Sequence, residues 1–276
     1  MQQVHRDEEW VLREYGAEKW PAVLAAIRSL KASGERDLGR VLWSVMRSWR
    51  GRSVWEESPC VLAGSVRDVP LGIGWEARQG IVPEALSECV REDTSLVVEL
   101  GSGWGFNLLQ FWCRGGPRNA RYVAAEYTAA GRECSRELAD LDAELSFSAV
   151  PFDYHAVRET PIERAGGHAL VFSCQSIEQI PDLRADVIEY VLSLGSRVTC
   201  LHFEPCGWQV RDSGEDSAAR HREYAERNDY NRNLWRLLRA MEDRGAIDVT
   251  RVVPDLAGPN PDNPVTAIEW RSRGPG

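Results

Sequence analysis

Long uncharged apolar runs are absent from this sequence. No stretch of its 276 residues approaches the ~18 consecutive apolar residues that a transmembrane helix needs. The first nine residues are polar and acidic, without the apolar core of a signal peptide. These absences predict a cytoplasmic protein that has no contact with a membrane.

An excess of positive charge is also absent. The chain has 33 Lys and Arg against 42 Asp and Glu, which gives a net charge of −9. Nucleic-acid binding requires a basic surface, and no Lys/Arg stripe here exceeds one helical turn, so we expect no nucleic-acid partner. The hydrophobic fraction of 43% excludes an intrinsically disordered chain.

Paired cysteine spacing is the third absence. None of the seven cysteines forms a CxxC pair, so the sequence signals neither a zinc knuckle nor a thioredoxin-type site. We expect reduced thiols, and no metal. Tryptophan, by contrast, is frequent, with 11 residues. Such a number indicates a large core, or a pocket for flat or apolar ligands.

Two sections are predicted along the chain. Residues 1–80 form the first, with two amphipathic helices around Val23–Leu30 and Val41–Trp49. Within this section, residues 51–80 are rich in Gly, Pro and Trp, and we interpret them as an irregular connector or lid. Residues 81–276 form the second section.

The second section alternates short β-rich runs with helical runs. The predicted strands are Ser95–Leu100, Arg121–Ala125, Ser146–Val150, Ala169–Ser173, Arg197–Phe203, Ala246–Val253 and Val265–Trp270. The predicted helices are 105–114, 128–142, 182–194 and 217–244. Strands separated by helices imply an α/β fold with a parallel, doubly wound sheet. The last two strands lack a crossover helix, so we expect them to pair antiparallel.

A glycine-rich turn is the most informative segment. The apolar run Val97–Leu100 leads into Gly101-Ser102-Gly103-Trp104-Gly105, which opens a helix. Glycines are needed where a backbone turns sharply or where a ligand approaches it closely. The spacing differs from the dinucleotide pattern GxGxxG, and no Gly-Lys-Ser/Thr of a P-loop follows.

This segment resembles motif I of the class I S-adenosylmethionine (SAM)-dependent methyltransferases, and the resemblance covers roughly residues 90–270. It implies a Rossmann-like sheet of seven strands with the last strand antiparallel. It also implies that Glu126, at the end of the second strand, bonds the ribose, and that Asp153 lies near the adenine, on which Phe152 stacks. The cofactor-binding residues that it implies are Glu99, Gly101, Ser102, Gly103, Gly105, Asn107, Glu126, Tyr127, Phe152, Asp153, Ser173, Cys174 and Gln175.

The acceptor site is predicted at the carboxyl ends of the parallel strands. His202 and Glu204 are two residues apart and so share one face of a strand, where they suit a base and its partner. A buried structural histidine is the equally weighted alternative. We name Glu178, Trp208, Tyr230 and Asn231 as substrate-binding candidates, although Trp208 also suits a core and the Asn-rich run also suits a helix cap.

The resemblance implies a methyltransferase that converts SAM to S-adenosylhomocysteine (SAH). We predict a small-molecule acceptor and O-methylation of a hydroxyl or carboxylate, with a role in natural product biosynthesis suggested by composition. N- or C-methylation of a small molecule or peptide stays open. Two other classes also stay open, a dinucleotide oxidoreductase and a non-catalytic SAM-binding protein. A homodimer stays open as well. A minor alternative is a metal-assisted methyltransferase that uses His202, Glu204 and Asp153 or His155. Arg52, Arg67 and Arg78 are candidates for clamping an anion.

Overall fold

The computed structural model describes residues 6–49, 54–211 and 216–273. Its α-helices are α1 Glu8–Val11, α2 Trp20–Ala32, α3 Leu38–Trp49, α4 Leu71–Cys89, α5 Phe106–Cys113, α6 Ala129–Ala139, α7 Ala185–Ser193, α8 Gly207–Val210, α9 Asp216–Arg227 and α10 Leu234–Asp243. A π-helix, Leu12–Lys19, joins α1 to α2. The 3₁₀ turns are Val157–Glu159 and Ile177–Gln179. The strands are β1 Glu57–Leu62, β2 Ser65–Pro70, β3 Thr94–Leu100, β4 Arg121–Glu126, β5 Phe147–Pro151, β6 His168–Cys174, β7 Arg197–Glu204, β8 Ile247–Gly258 and β9 Val265–Ser272.

One mixed sheet holds these strands in the order β2-β1-β8-β9-β7-β6-β3-β4-β5. The five strands β3 to β7 run parallel, and β9 is antiparallel to both β7 and β8. The predicted α/β fold and the antiparallel last strand are thereby confirmed. Strand order reverses between β3 and β6, and open α/β sheets form their ligand crevice at such a switch point.

The predicted number of seven strands is wrong, because the hairpin β1–β2 extends the sheet through β8. The irregular connector predicted over 51–80 is wrong for the same reason: its described part contains this hairpin and the start of α4. The hairpin turns at Ala63 and Gly64, which both have positive φ. Gly74, inside α4, lets that helix approach the hairpin, because a Cβ there would lie 2.5 Å from Cys60 Sγ.

The single helix predicted over 217–244 is divided into α9 and α10. Asp229 has φ +52°, which no α-helix accommodates. Asn231 Oδ1 accepts hydrogen bonds from the backbone N–H of Asn233 at 3.1 Å and of Leu234 at 2.8 Å. This side chain therefore caps the start of α10. The sequence predicted such a cap at Asn228 or Asp229, so the kind of role is as expected but the residue is wrong.

Two hydrophobic cores cover the two faces of the sheet. The first packs α2, α3, α4, α5 and α6 against one face, and Trp112 is fully buried in it. The second packs α7 and α10 against the other face, around Trp270. Within residues 6–49, 54–211 and 216–273, no helix is both long enough and apolar enough to cross a membrane.

Candidate functional site

The glycine turn after β3 forms the floor of the site. Gly101, Gly103 and Gly105 have φ values of +65°, +55° and +86°, a region that side chains disfavour. A Cβ at Gly101 would lie 2.4 Å from Ser176 Cβ, and one at Gly103 would lie 2.9 Å from the ring of Trp20. Close approach of neighbouring segments and positive φ both require glycine here.

Glu99 fixes the start of α5. Its Oε1 accepts a hydrogen bond from Asn107 Nδ2 at 2.9 Å, and its Oε2 accepts one from the Leu108 backbone N–H at 3.1 Å. The Glu99 carboxylate therefore accepts a hydrogen bond from a backbone N–H that has no partner within α5. This N–H lies at the helix amino terminus, where negative charge is stabilised. Burial raises the pKa of Glu99 to about 8, against the lowering effect of these two hydrogen bonds.

Glu126 ends β4 and faces the same turn. Its Oε2 accepts a hydrogen bond from the Gly103 backbone N–H at 2.9 Å. Its Oε1 accepts hydrogen bonds from the backbone N–H of Thr128 at 2.9 Å and from its hydroxyl at 2.6 Å. Burial raises the pKa of Glu126 above its ordinary value. A carboxylate offers about four acceptor positions, so room remains for a ligand hydroxyl.

A cavity of about 510 Å³ opens above this floor. Its size lies within the ~300–1,000 Å³ of small-molecule sites. Eleven of the thirteen predicted cofactor residues line it: Glu99, Gly101, Ser102, Gly103, Asn107, Glu126, Tyr127, Phe152, Asp153, Cys174 and Gln175. Gly105 and Ser173 do not. Gly105 instead shapes the turn before α5.

Two observations test whether these residues fit SAM. Ser102 Oγ is buried at the cavity and makes no hydrogen bond within the described part of the chain, so it is available to a polar ligand. Phe152 and Tyr154 pack edge to face, 4.7 Å apart, and both line the cavity beside Asp153, an arrangement that suits a flat, polar-edged ring. The residues therefore fit an adenosyl group.

The loop after β6 forms the opposite wall. Cys174, Gln175 and Glu178 line the cavity, and Gln175 adopts φ +50°. Arg78 from α4 donates a hydrogen bond to Gln175 Oε1, and its guanidinium lies 4.4 Å from the centre of the Trp75 ring. Of the three arginines predicted as clamps, Arg78 lines the cavity. Arg67 is exposed on β2, and Arg52 lies outside the described residues.

His202 does not line the cavity, and we withdraw the prediction that it acts as a base. Trp270 Nε1 can only donate, and it bonds His202 Nε2 at 3.0 Å. The neutral ring then carries its proton on Nδ1, which bonds Ser173 Oγ at 3.0 Å. Burial lowers the pKa of His202 to about 3. This is the buried structural histidine that the sequence left as an alternative.

Glu204 is also withdrawn as a catalytic residue, because it lies beneath the site and holds the loop after β6. Ser173 Oγ donates to Oε1 at 2.8 Å. The backbone N–H groups of Ser176, Ile177 and Glu178 donate to the same carboxylate, each at 3.2 Å. Burial, followed by the charge of Glu178, raises the pKa of Glu204 to about 8.

Three of the four predicted substrate residues lie outside the cavity. Trp208 follows β7 and lies 5.5 Å from the guanidinium of Arg222. Asn231 caps α10. Tyr230 is buried beneath the guanidinium of Arg6, 4.5 Å from its ring centre. Glu178 alone of the four lines the cavity, because its 3₁₀ turn lies directly above the ends of β6 and β7.

Sequence reasoning missed the individual residues that cover the cavity. Arg6, Glu8, Val11, Tyr15 and Trp20 come from the amino-terminal segment and line it. Arg6 Nε donates to the Asn228 backbone oxygen at 2.6 Å, and the Arg6 side chain also bonds Gln179. The Tyr127 hydroxyl donates to Glu8. The sequence predicted that the amino-terminal helical section would cover the cofactor and shape the acceptor site, but it singled out none of these residues.

The minor metal alternative required His202 and Glu204 to approach Asp153 or His155. Among the described residues, no group of three or more His, Cys, Asp or Glu side chains is arranged to hold a metal ion. The buried hydrogen bonds of His202 and Glu204 described above already account for both side chains.

No protein-family model matches the chain, and no curated protein sequence is significantly similar to it. Solved structures are similar at low identity. Magnesium protoporphyrin IX methyltransferase from Synechocystis, solved with SAH, is 12% identical over 74% of this chain and 85% of its own, with a TM-score of 0.49. An O-methyltransferase from Bacillus cereus, also with SAH, is 12% identical over 92% and 100%, with a TM-score of 0.48. An O-methyltransferase of tomaymycin synthesis from Streptomyces achromogenes, with SAM, is 15% identical over 74% and 89%, with a TM-score of 0.47.

The neighbours named above are methyltransferases solved with SAM or SAH. The chain itself has a doubly wound sheet with an antiparallel last strand, a glycine turn after β3 and an acidic residue at the end of β4. Together these features define an open α/β fold with a ligand crevice at the switch point of its sheet.

Proposed function

We propose that this chain is a SAM-dependent methyltransferase that methylates an oxygen atom of a small molecule. One observation carries the proposal. The glycine turn, Glu126 and the Phe152–Asp153 segment come from three separate strand ends, and all of them line one cavity at the switch point of the sheet. An adenosyl ligand needs such a combination of a close backbone approach, an acceptor for ribose hydroxyls and an aromatic wall.

Each part of the cavity has a proposed role. Glu126 accepts hydrogen bonds from the ribose, Phe152 and Asp153 contact the adenine, and Ser102 binds the amino-acid end together with the glycine turn. SAM supplies a methyl group that its sulfonium has already activated. The chain then has to position the acceptor in line with that methyl and exclude water. Residues 6–20 form the cover that excludes water.

A dinucleotide oxidoreductase is disfavoured by the same geometry. Such an enzyme places a pyrophosphate at the amino terminus of the helix after the first strand. Here the Glu99 side chain already accepts the hydrogen bond of the Leu108 N–H at that terminus, so this donor is not available to a phosphate. Trp20 also packs on Gly103, where a pyrophosphate would need to approach the backbone.

Calorimetric titration with SAM, SAH and NAD tests the proposal. We expect SAM and SAH to bind and NAD not to bind. Transfer of a labelled methyl group from SAM to a metabolite then distinguishes an enzyme from a non-catalytic binding protein. Binding of NAD without SAM would contradict the proposed cofactor, and SAM binding without transfer to any metabolite would contradict the proposed activity.

Location and acceptor class belong to the same proposal. All seven cysteines are free, which suits the reducing cytoplasm. The cavity is closed on several sides by residues 6–20 and α4, which suits a small acceptor better than a folded macromolecule. Cell fractionation and the mass of the methylated product test these two points.

A further inference from the structure

Glu178 has an unused carboxylate oxygen at the cavity. Its side chain is 8% exposed. Oε1 accepts a hydrogen bond from Gln179 Nε2 at 2.8 Å. The Asn263 side chain lies near enough to the carboxyl to lower its pKa, but Oε2 is buried and no donor among the described residues forms a hydrogen bond of normal geometry with it. Its backbone N–H donates to Glu204 at 3.2 Å, which fixes the turn that carries it. A buried oxygen without a donor is costly, so a bound ligand is expected to supply one.

The other buried carboxylates of the cavity are already engaged. Glu99 and Glu126 each accept hydrogen bonds on both oxygens, and they fix the start of α5 and the glycine turn. Glu204 accepts four hydrogen bonds below the loop, and His202 is neutral and distant from the cavity. Glu126 keeps one acceptor position, which the ribose uses in the proposed function. Of these four buried carboxylates, Glu178 is the one with a whole oxygen that accepts no hydrogen bond.

The charges around Glu178 restrict the kind of donor. Arg6 and Arg78 line the same cavity and attract the carboxylate, so they favour its ionised form. The other ionisable groups that interact with it are Tyr15, Cys174, Glu204, Tyr224 and Tyr230. Burial and these arginines act in opposite directions, and the resulting pKa of Glu178 is raised to about 7.

We propose that Glu178 is the general base of this site and that its acceptor is a hydroxyl group, neither a carboxylate nor an amine. This inference rests on the proposed methyltransferase function. A carboxylate acceptor has no proton to donate to Oε2 and would be repelled by the charge of Glu178. A protonated amine has no lone pair with which to attack the methyl carbon, and an ion pair with Glu178 would hold it in that protonated form. A neutral hydroxyl satisfies the unused oxygen.

The transfer balances as follows. The hydroxyl donates its hydrogen bond to Glu178 Oε2, and its oxygen lone pair forms the new bond to the methyl carbon. The carbon–sulfur bond breaks, and its electron pair remains on sulfur as the thioether of SAH. The hydroxyl proton passes to Glu178, which afterwards releases it to water. The products are a methyl ether, SAH and one proton.

The test compares the wild type, Glu178→Gln and the control Glu189→Gln. Glu189 is an exposed residue of α7 that pairs with Arg158, remote from the cavity. Each protein is incubated with ¹³C-methyl SAM and the small-molecule extract of the cells from which the gene comes. We expect the wild type and Glu189→Gln to label the same product. We expect Glu178→Gln to label it ~100-fold more slowly or worse, as is typical when a general base is lost, while its SAM dissociation constant changes less than about twofold.

Chemical analysis of the product identifies the methylated atom. Carbon NMR distinguishes N-methyl from O-methyl, and hydroxide releases methanol from an ester but not from an ether. A stable methyl ether supports the proposal. An ester, an N-methyl product or undiminished labelling by Glu178→Gln would overturn the assignment of Glu178 and leave the methyltransferase function standing. No labelled product from the wild type would contradict the methyltransferase function itself.

Discussion

Four buried glutamates have different roles in this molecule, and the hydrogen bonds that each one accepts determine its role. Glu99 and Glu126 stabilise backbone groups at the floor of the cavity, and Glu204 stabilises the loop above it. Glu178 has an oxygen left over. Burial raises the pKa of all four, so their roles follow from which donors each one meets.

Replacing Glu126 by Ala tests the ribose contact. We expect the variant to bind SAM more weakly by about 1–3 kcal/mol, because it loses charge-assisted hydrogen bonds to the ribose. Calorimetry measures the change. Glu133→Ala on α6, whose side chain pairs with Arg28 away from the cavity, is the control and should bind SAM normally. Unchanged affinity in Glu126→Ala would mean that the ribose lies elsewhere.

The pH dependence of methyl transfer tests the ionisation of Glu178. The base must be ionised, and burial places its pKa at about 7. The rate should therefore rise as the pH increases through about 7 and level off above it, and Glu178→Gln should lack this rise. A rate that falls as the pH increases through about 7 would contradict a general base at Glu178, because it would require a protonated group for the reaction.

Replacing His202 by Ala tests its structural role. The change leaves the buried Trp270 Nε1 without a partner, which costs about 1–3 kcal/mol. Ser173 Oγ loses its hydrogen bond to His202 but keeps the one that it donates to Glu204. We expect a lower free energy of unfolding by urea denaturation, with SAM affinity preserved in the folded protein. A loss of activity above about 100-fold with normal stability would restore His202 as a catalytic candidate.

At the scale of elements, the close approach of α4 to the hairpin β1–β2 explains why glycine occurs inside a helix. Gly72, Gly74 and Gly80 all lie in α4, although their composition predicted a connector. Glycine in a helix is unfavourable by about 1 kcal/mol relative to alanine. The packing of α4 on β1 explains why residue 74 is a glycine, since no side chain fits there beside Cys60.

Two alanine substitutions in α4 separate these effects. Gly74→Ala should destabilise the protein by about 1–3 kcal/mol because the new methyl overlaps Cys60. Gly80→Ala should stabilise it by up to about 1 kcal/mol, because its nearest neighbour would be 4.0 Å away and helix propensity improves. Urea denaturation midpoints measure both. Equal effects of the two changes would contradict the proposed contact between α4 and the hairpin.

At the scale of the whole molecule, the amino-terminal segment is bonded over the cavity to two segments that are far from it in the sequence. Arg6 bonds Gln179 of the loop after β6 and Asn228 at the end of α9, and its guanidinium lies 4.2 Å from the ring centre of Trp10. The cover is thus tied to the acceptor side of the site. Release of SAH should require these contacts to open.

Replacing Arg6 by Ala should loosen the cover. We expect SAH to dissociate several-fold faster, since the hydrogen bonds of a charged side chain that hold the cover in place are lost. Stopped-flow fluorescence of the tryptophans near the cavity measures the rate. Arg13→Ala, an exposed position of the π-helix, serves as the control. Identical rates in the two variants would show that Arg6 does not hold the cover closed.

The sequence by itself determined the parallel sheet, the glycine turn and most of the cofactor wall, because these depend on short-range patterns: apolar runs, glycine spacing and acids at strand ends. Tertiary structure alone decided the acceptor side. His202 and Glu204 share a strand face, as predicted, but that face points into the core, and strand periodicity does not say which side of a two-sided sheet holds the ligand. The contacts of Arg6, Trp20 and Arg78 at the cavity join segments far apart in the chain, and only folding brings them together.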